Sequence, residues 1–218
     1  MRLSTSLVLI ISLSISLVGV ERSYGEVSVT VSIRPLLLIA QAIVEDRGTV
    51  HSIVDFQGSP HNYSITPADR INLQQADLLL RVSPEFEIFL ADIFASQSRS
   101  KPLITAASIS GISLHNLDDG SADLHLWLNT ENAISIAQQL AISLIELDPG
   151  NGKEYQEALK QFESDVVVLN RSLQNRFSQY QQPDYLLYHD AYQYFERQFG
   201  LPGGLPLVHD PEVQPSMR

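Results

Sequence analysis

The sequence predicts an α/β fold, and three observations point to it. Short β-branched segments alternate with amphipathic ones through the first half of the chain. One apolar stripe at helical spacing runs from residue 155 to 180. A second strand–helix unit begins after that stripe. Strands separated by helices pair in parallel, because each crossover returns the chain to the same end of the sheet.

Taken in order, residues 27–33 (VSVTVSI) are β-branched and alternating, a strand signal. Pro35 then opens a helix over LLLIAQAIVED, whose apolar residues recur on a helical period. Residues 49–55 (TVHSIVD) form a second strand, followed by the turn-rich QGSPHNYS. Thr66 caps a helix with Pro67 in its first position. DLLLRV (77–82) reads as a buried strand and EFEIFLADIFA as a helix. Residues 108–123 form a polar loop, and Asn129 or Thr130 starts a helix that ends before Asp148-Pro149-Gly150. Tyr155, Leu159, Phe162, Val166, Leu169, Leu173, Phe177 and Tyr180 then lie three or four residues apart. That stripe predicts one helix from about Lys153 to Tyr180, about 42 Å long at 1.5 Å per residue, enough to brace two lobes or to serve as one core helix. Pro183 ends it, residues 184–188 (DYLLY) read as a strand and 190–199 as a helix. One strand and one helix do not complete a sheet domain, so a truncated chain, or a fold that borrows its closure elsewhere, is expected. The expected divisions are a signal peptide at 1–25, a first α/β lobe at 26–150, a connecting helix at 151–182 and the start of a second lobe at 183–218.

Arg2, the uncharged run SLVLIISLSISLVGV (6–20), and the small residues Ser23 and Gly25 before Glu26 have the layout of a secretory signal peptide. The run is shorter than the roughly 20 residues of a spanning helix. There is no cysteine, which excludes disulfides, thiolate ligands, cysteine nucleophiles and a lipid-modified cysteine. A soluble periplasmic protein is therefore expected. Without residues 1–25 the chain keeps 12 basic and 24 acidic residues, a balance that repels phosphate backbones and makes nucleic acid a poor partner.

Six histidines are present, at 51, 61, 115, 125, 189 and 209. His61 lies in the loop after the second predicted strand, His125 just before a capped helix, and His189 directly after DYLLY, where it opens a helix. Ligand sites in α/β folds gather at the carboxyl ends of strands. Three imidazoles converging there would suit Zn²⁺. Spacing alone leaves the question open, since no pair has HxxxH or HExxH geometry.

The blocks around these histidines carry more information. VTVSIRPLLLIAQAI, GSPHNYSITPADRINLQQADLLLRVSPEFEIFL, DLHLWLNTENAISIAQQLAISLIELDP, YLLYHDAYQYFERQFGL and DPEVQPSMR occur in that order. Together they resemble the zinc-specific solute-binding proteins of ABC transporters, the ZnuA type. The resemblance implies a clamp of two α/β lobes joined by a long rigid helix, with the metal between them. It implies that His61, His125 and His189 bind one zinc ion, with zinc as cargo, an ABC permease as partner and a monomeric periplasmic carrier. Manganese-preferring relatives have a carboxylate in the third position, so His189 implies zinc. Three departures stand out. Members run on by roughly a hundred residues past PEVQP, about what a complete lobe needs. Some have glutamate where Pro60 stands. Many have a long His-rich acidic loop, of which SLHNLDDGSAD, with His115, Asp118, Asp119 and Asp123, is the counterpart, expected to be a plain solvated loop or a weak zinc recruiter.

The expected action is capture without chemistry, with a fourth position for water or a carboxylate. Asp190 is expected to cap the helix it begins, or else to orient a ligand histidine, and Tyr63 to support the loop of His61. Two rival readings remain. Three histidines and an open water position also describe a catalytic zinc, for which Glu131 and Asp123 are the nearest candidate bases. A non-functional remnant of a zinc carrier is the other.

Overall fold

The computed structural model describes residues 26–54, 63–179 and 184–208. The predicted signal peptide, His61, Tyr180, Pro183 and the segment 209–218 lie outside the described residues. No described helix is long and apolar enough to cross a membrane.

The first sheet has four parallel strands, β1 (Val27–Val31), β2 (Gly48–Ser52), β3 (Leu78–Arg81) and β4 (Leu103–Thr105), in the order β2-β1-β3-β4. Helix α1 (Arg34–Val44) has Pro35 in its first turn, as predicted. It leads into β2 through Glu45, whose φ is 51°. Gly48 is obligatory at the start of β2, because a Cβ there would lie 2.1 Å from the Val27 carbonyl oxygen. Helix α2 (Pro67–Gln75) begins with a full capping box: the Asp69 amide donates to Thr66 Oγ1 at 3.2 Å, and the Thr66 amide donates to Asp69 Oδ2 at 2.7 Å. The segment predicted as one helix over 85–95 is a short 3₁₀ turn, Ile88–Leu90, followed by α3 (Ala91–Gln97). Helix α4 (Thr130–Leu147) is capped by Asn129, whose Oδ1 accepts from the amides of Glu131 and Asn132.

Alternation along the strands sorts the two faces of this sheet. Val27, Val29 and Val31 of β1 and Leu78 and Leu80 of β3 face α1 and α4 in one core. Leu79 faces Leu73 and Phe94 of α2 and α3 in a smaller one. Burying both faces requires the near-continuous apolar strands seen in the sequence.

Helix α5 (Gly152–Ser178) matches the predicted long helix, 27 residues or about 40 Å. Its stripe is not one uniform seam. Tyr155, Ala158 and Val166 are buried, with Leu159 and Phe162 packed against the core, yet Leu169 is half exposed. At the far end Phe177 meets Phe195 and Phe199 at ring distances of 5.7 and 5.8 Å. The apolar period thus serves two separate contacts.

Three elements went unread in the sequence. Strand β4 is three residues long, and the loop 108–123 contains a two-rung antiparallel hairpin, β5 (His115–Asn116) and β6 (Ala122–Asp123). After β7 (Leu186–His189) and α6 (Gln193–Phe199), β8 (Leu205–Val208) pairs in parallel with β7. Pro206 disguised β8, but in a two-stranded sheet a missing N–H can face outward without loss. Gly200 ends α6 at φ 64°, the left-handed stop that glycine adopts most cheaply. Leu186, Tyr188, Leu205 and Leu207 leave one face of this second sheet exposed among the described residues.

The α4–α5 turn rests on a buried polar knot. Asp148 Oδ2 accepts from Tyr155 Oη at 2.9 Å and Asn151 Nδ2 at 2.7 Å. Burial, then the bond to Asp148, pushes the Tyr155 phenol well above its ordinary range, so it stays a donor. Asp148 Oδ1 is buried without a partner among the described residues. We therefore expect Tyr155→Phe to cost about 1–3 kcal/mol by urea denaturation, since it strips a donor from an already under-satisfied buried carboxylate. An unchanged midpoint would contradict this account.

Candidate metal centre

The chain crosses between β1 and β3 at the centre of the first sheet, so the crevice forms beyond the carboxyl ends of those strands. A buried carboxylate organises this edge. Glu87 accepts from the amides of Val82 and Ser83 at 2.9 and 3.0 Å and from Ser32 Oγ, tying the ends of β1 and β3 together. Its burial raises its pKa against the opposing effect of these donors. The turn it closes, with the Phe86 amide donating to Ser83 Oγ at 3.1 Å, sets Phe86 at the crevice.

His125 packs there. Its ring lies edge-on to Phe86 at 5.5 Å and against Trp127 at 5.4 Å. The β5–β6 hairpin delivers Asp123 into the interior, 1% exposed, where Oδ1 accepts from the His125 amide at 2.9 Å and sits 2.8 Å from His125 Nδ1. A carboxylate accepts, so Nδ1 carries a proton, and in the neutral form of the ring the lone pair falls on Nε2. His189, the last residue of β7, brings its own Nε2 to 3.2 Å from that atom. Two imidazoles bound to one tetrahedral zinc at 2.0–2.1 Å would have their nitrogens about 3.3–3.4 Å apart. The pair therefore stands close to the spacing of one edge of a tetrahedral zinc site, with Asp123 on the far side of the His125 ring, where an outer carboxylate fixes a tautomer.

Of the three predicted ligands, the structure brings His125 and His189 together. His61 lies outside the described residues, and among the described residues no three His, Cys, Asp or Glu side chains converge. Tyr63, two residues on, is tied to the first turn of α2 and to Phe89. The phenol donates to Asp69 Oδ2 at 3.1 Å and the ring packs on Phe89 at 5.6 Å. His51 sits within β2, opposite Thr30.

Several expectations need correction. His189 closes a strand rather than opening a helix, and α6 starts at Gln193 after Tyr192, with no side-chain cap. Asp190 therefore does not cap it. Asp123 is not a surface loop acid, and its Oδ1 is taken by His125, away from any catalytic water. Glu131 is exposed in the first turn of α4. His115 is half-buried against Tyr194, ring centroids 4.6 Å apart, with Nδ1 3.2 Å from an Arg197 nitrogen. Burial, then the Arg197 charge, lowers its pKa. The sequence reading missed Asp123 as the orienting group. The signal was the Asp-x-His spacing in DLH.

Comparison with known proteins bears on this geometry. The family model described as zinc-uptake complex component A, periplasmic (ZnuA), matches residues 29–218. The chain belongs to this family. The high-affinity zinc uptake system protein ZnuA of Yersinia pestis is 31% identical over 222 residues, covering 86% of this chain and 68% of that protein. A crystal structure of ZnuA superimposes with a TM-score of 0.78 at 26% identity, covering 88% of this chain and 73% of the other. A zinc-bound ZnuA lacking residues 138–173 gives 0.77 at 26% identity, over 84% and 70% of the two chains. The ZnuA-like fold therefore extends through the long helix into the second sheet unit.

The tautomer is directly observable. In the metal-free protein, ¹⁵N-edited NMR is expected to find the His125 proton on Nδ1. A proton found on Nε2 would refute the Asp123 assignment.

Proposed function

We propose that this ZnuA-family chain captures Zn²⁺ outside the cytoplasmic membrane through His61, His125 and His189 and delivers it to an ABC-type importer. The observation that carries this reading is the 3.2 Å approach of His125 Nε2 to His189 Nε2, with Asp123 holding the far side of the His125 ring. Two nitrogen ligands favour zinc over the harder cations that oxygen sites select. Segment 26–150 acts as one lobe, 151–182 as the connecting helix and 183–218 as part of the second. Residues 1–25 direct export, and the carrier works as a monomer. Capture needs no bond-making chemistry. The cation replaces the proton, or the N–H···N contact, between two imidazoles that stand ready for it.

Titration of the purified chain with Zn²⁺ by calorimetry is expected to show one-to-one binding. His61→Ala, His125→Ala and His189→Ala should each weaken it by more than the roughly 10–100-fold that loss of an outer-shell partner costs. Affinity should fall below about pH 6, because a protonated imidazole cannot ligate. Zinc binding that is unchanged at pH 5, or in His189→Ala, would sink the proposal.

A further inference from the structure

Helix α6 follows His189 and sends two polar side chains, one turn apart, toward the segments on either side of His125. Tyr194 is completely buried. Its hydroxyl donates to the Asp123 carbonyl oxygen at 2.7 Å and accepts from the His115 amide at 3.0 Å. His115 and Asp123 are register partners, so one phenol holds both strands of the β5–β6 hairpin at a single rung. Burial raises the Tyr194 pKa, which keeps the donor protonated. Gln198 Oε1 accepts from the Thr130 amide at 3.1 Å, and its Nε2 donates to Thr130 Oγ1 at 2.5 Å. Asn170 of α5 donates to the same Oγ1 at 2.7 Å.

The spacing along the chain gives these bonds a purpose. Asp123 lies two residues before His125 and Thr130 five after it, while Tyr194 lies five after His189. No backbone ladder joins the first sheet to β7 among the described residues. The relative placement of the two imidazoles therefore depends on side-chain contacts across the gap, the Phe177 packing on Phe195 and Phe199 and the buried Tyr194–Asp123 bond among them. We propose that Tyr194 is a positioning residue for the metal site. It fixes the Asp123 peptide, and through the Asp123 carboxylate the His125 ring, against the segment bearing His189, with Gln198 holding the other flank. The inference rests on the reading of His125 and His189 as zinc ligands. It adds that α6 presets their spacing before zinc arrives.

The test compares the full chain with Tyr194→Phe, Gln198→Ala and His125→Ala. The readouts are zinc affinity by competition with a chromophoric chelator, the ligand-field absorption of bound Co²⁺, and thermal unfolding of the metal-free protein. Tyr194→Phe is expected to bind zinc about 10–100-fold more weakly, as loss of outer-shell orientation does, and to change the Co²⁺ spectrum. Gln198→Ala should move both readouts the same way by a smaller amount, and it stands in if Tyr194→Phe does not fold. A lower Tm with unchanged zinc affinity and Co²⁺ spectrum would make Tyr194 a packing residue and overturn the proposal. Loss of zinc in His125→Ala with full binding in Tyr194→Phe would refute the positioning role alone. Parent-like binding in His125→Ala would remove the metal-site reading and the positioning role with it.

Discussion

The Asp123 carboxylate is buried to 1% exposure, and an isolated ion in such a place is expensive. Its compensation comes from His125, through the backbone amide and Nδ1 on one oxygen. The other oxygen is without a hydrogen bond among the described residues. A neutral imidazole satisfies such a carboxylate only in part. A cation on Nε2 would make the His125 ring a better donor at Nδ1 and place positive charge near the buried negative one. The carboxylate is thus a standing bias toward whatever cation His125 can hold. The hairpin that inserts it, the turn of Leu126–Leu128 and the packing of Phe86 and Trp127 all serve to keep that geometry.

The first sheet supports the same point from below. Its strands end at a crevice where Glu87 gathers donors from β1 and β3. Burial raises the Glu87 pKa against its hydrogen-bond donors and the Arg81 charge, and the carboxylate serves as a clamp on the backbone ends. Its turn places Phe86 edge-on to His125. An apolar edge on that side leaves Nε2 as the polar approach to the ring. Asn132 does comparable work for the next segment. Its amide bonds Ser113 and the Leu126 carbonyl, pinning the start of α4 to both ends of the hairpin region.

What the sequence revealed tracks how local the cause is. Pro35, the Thr66–Pro67 helix start, Asn129 and the alternating Val27–Val31 act within a few residues, and each appears where expected. Strand β4 and the two-rung hairpin are too short to show a period, and Pro206 argued against β8. The stripe on α5 was legible, but its split between the α1–α4 core and the Phe195–Phe199 pair was not, since both contacts share one helical repeat. At the site, His125 and His189 could be nominated from their contexts. The burial of Asp123 could not, because an acidic, glycine-containing loop has the same composition whether it stays in solvent or folds inward. The bonds that decide it come from Tyr194, 71 residues away.

This dependence on distant side chains also bears on the free energy of binding a cation at the site. If the ligands had to be gathered by zinc itself, ordering them would consume much of the binding free energy. Here two nitrogens already stand 3.2 Å apart. On the proposed reading, a cation would meet a partly built coordination shell and lose little to reorganisation. The spacing of the two imidazoles is thus set by side-chain contacts between the two sheets and not by a shared backbone ladder among the described residues.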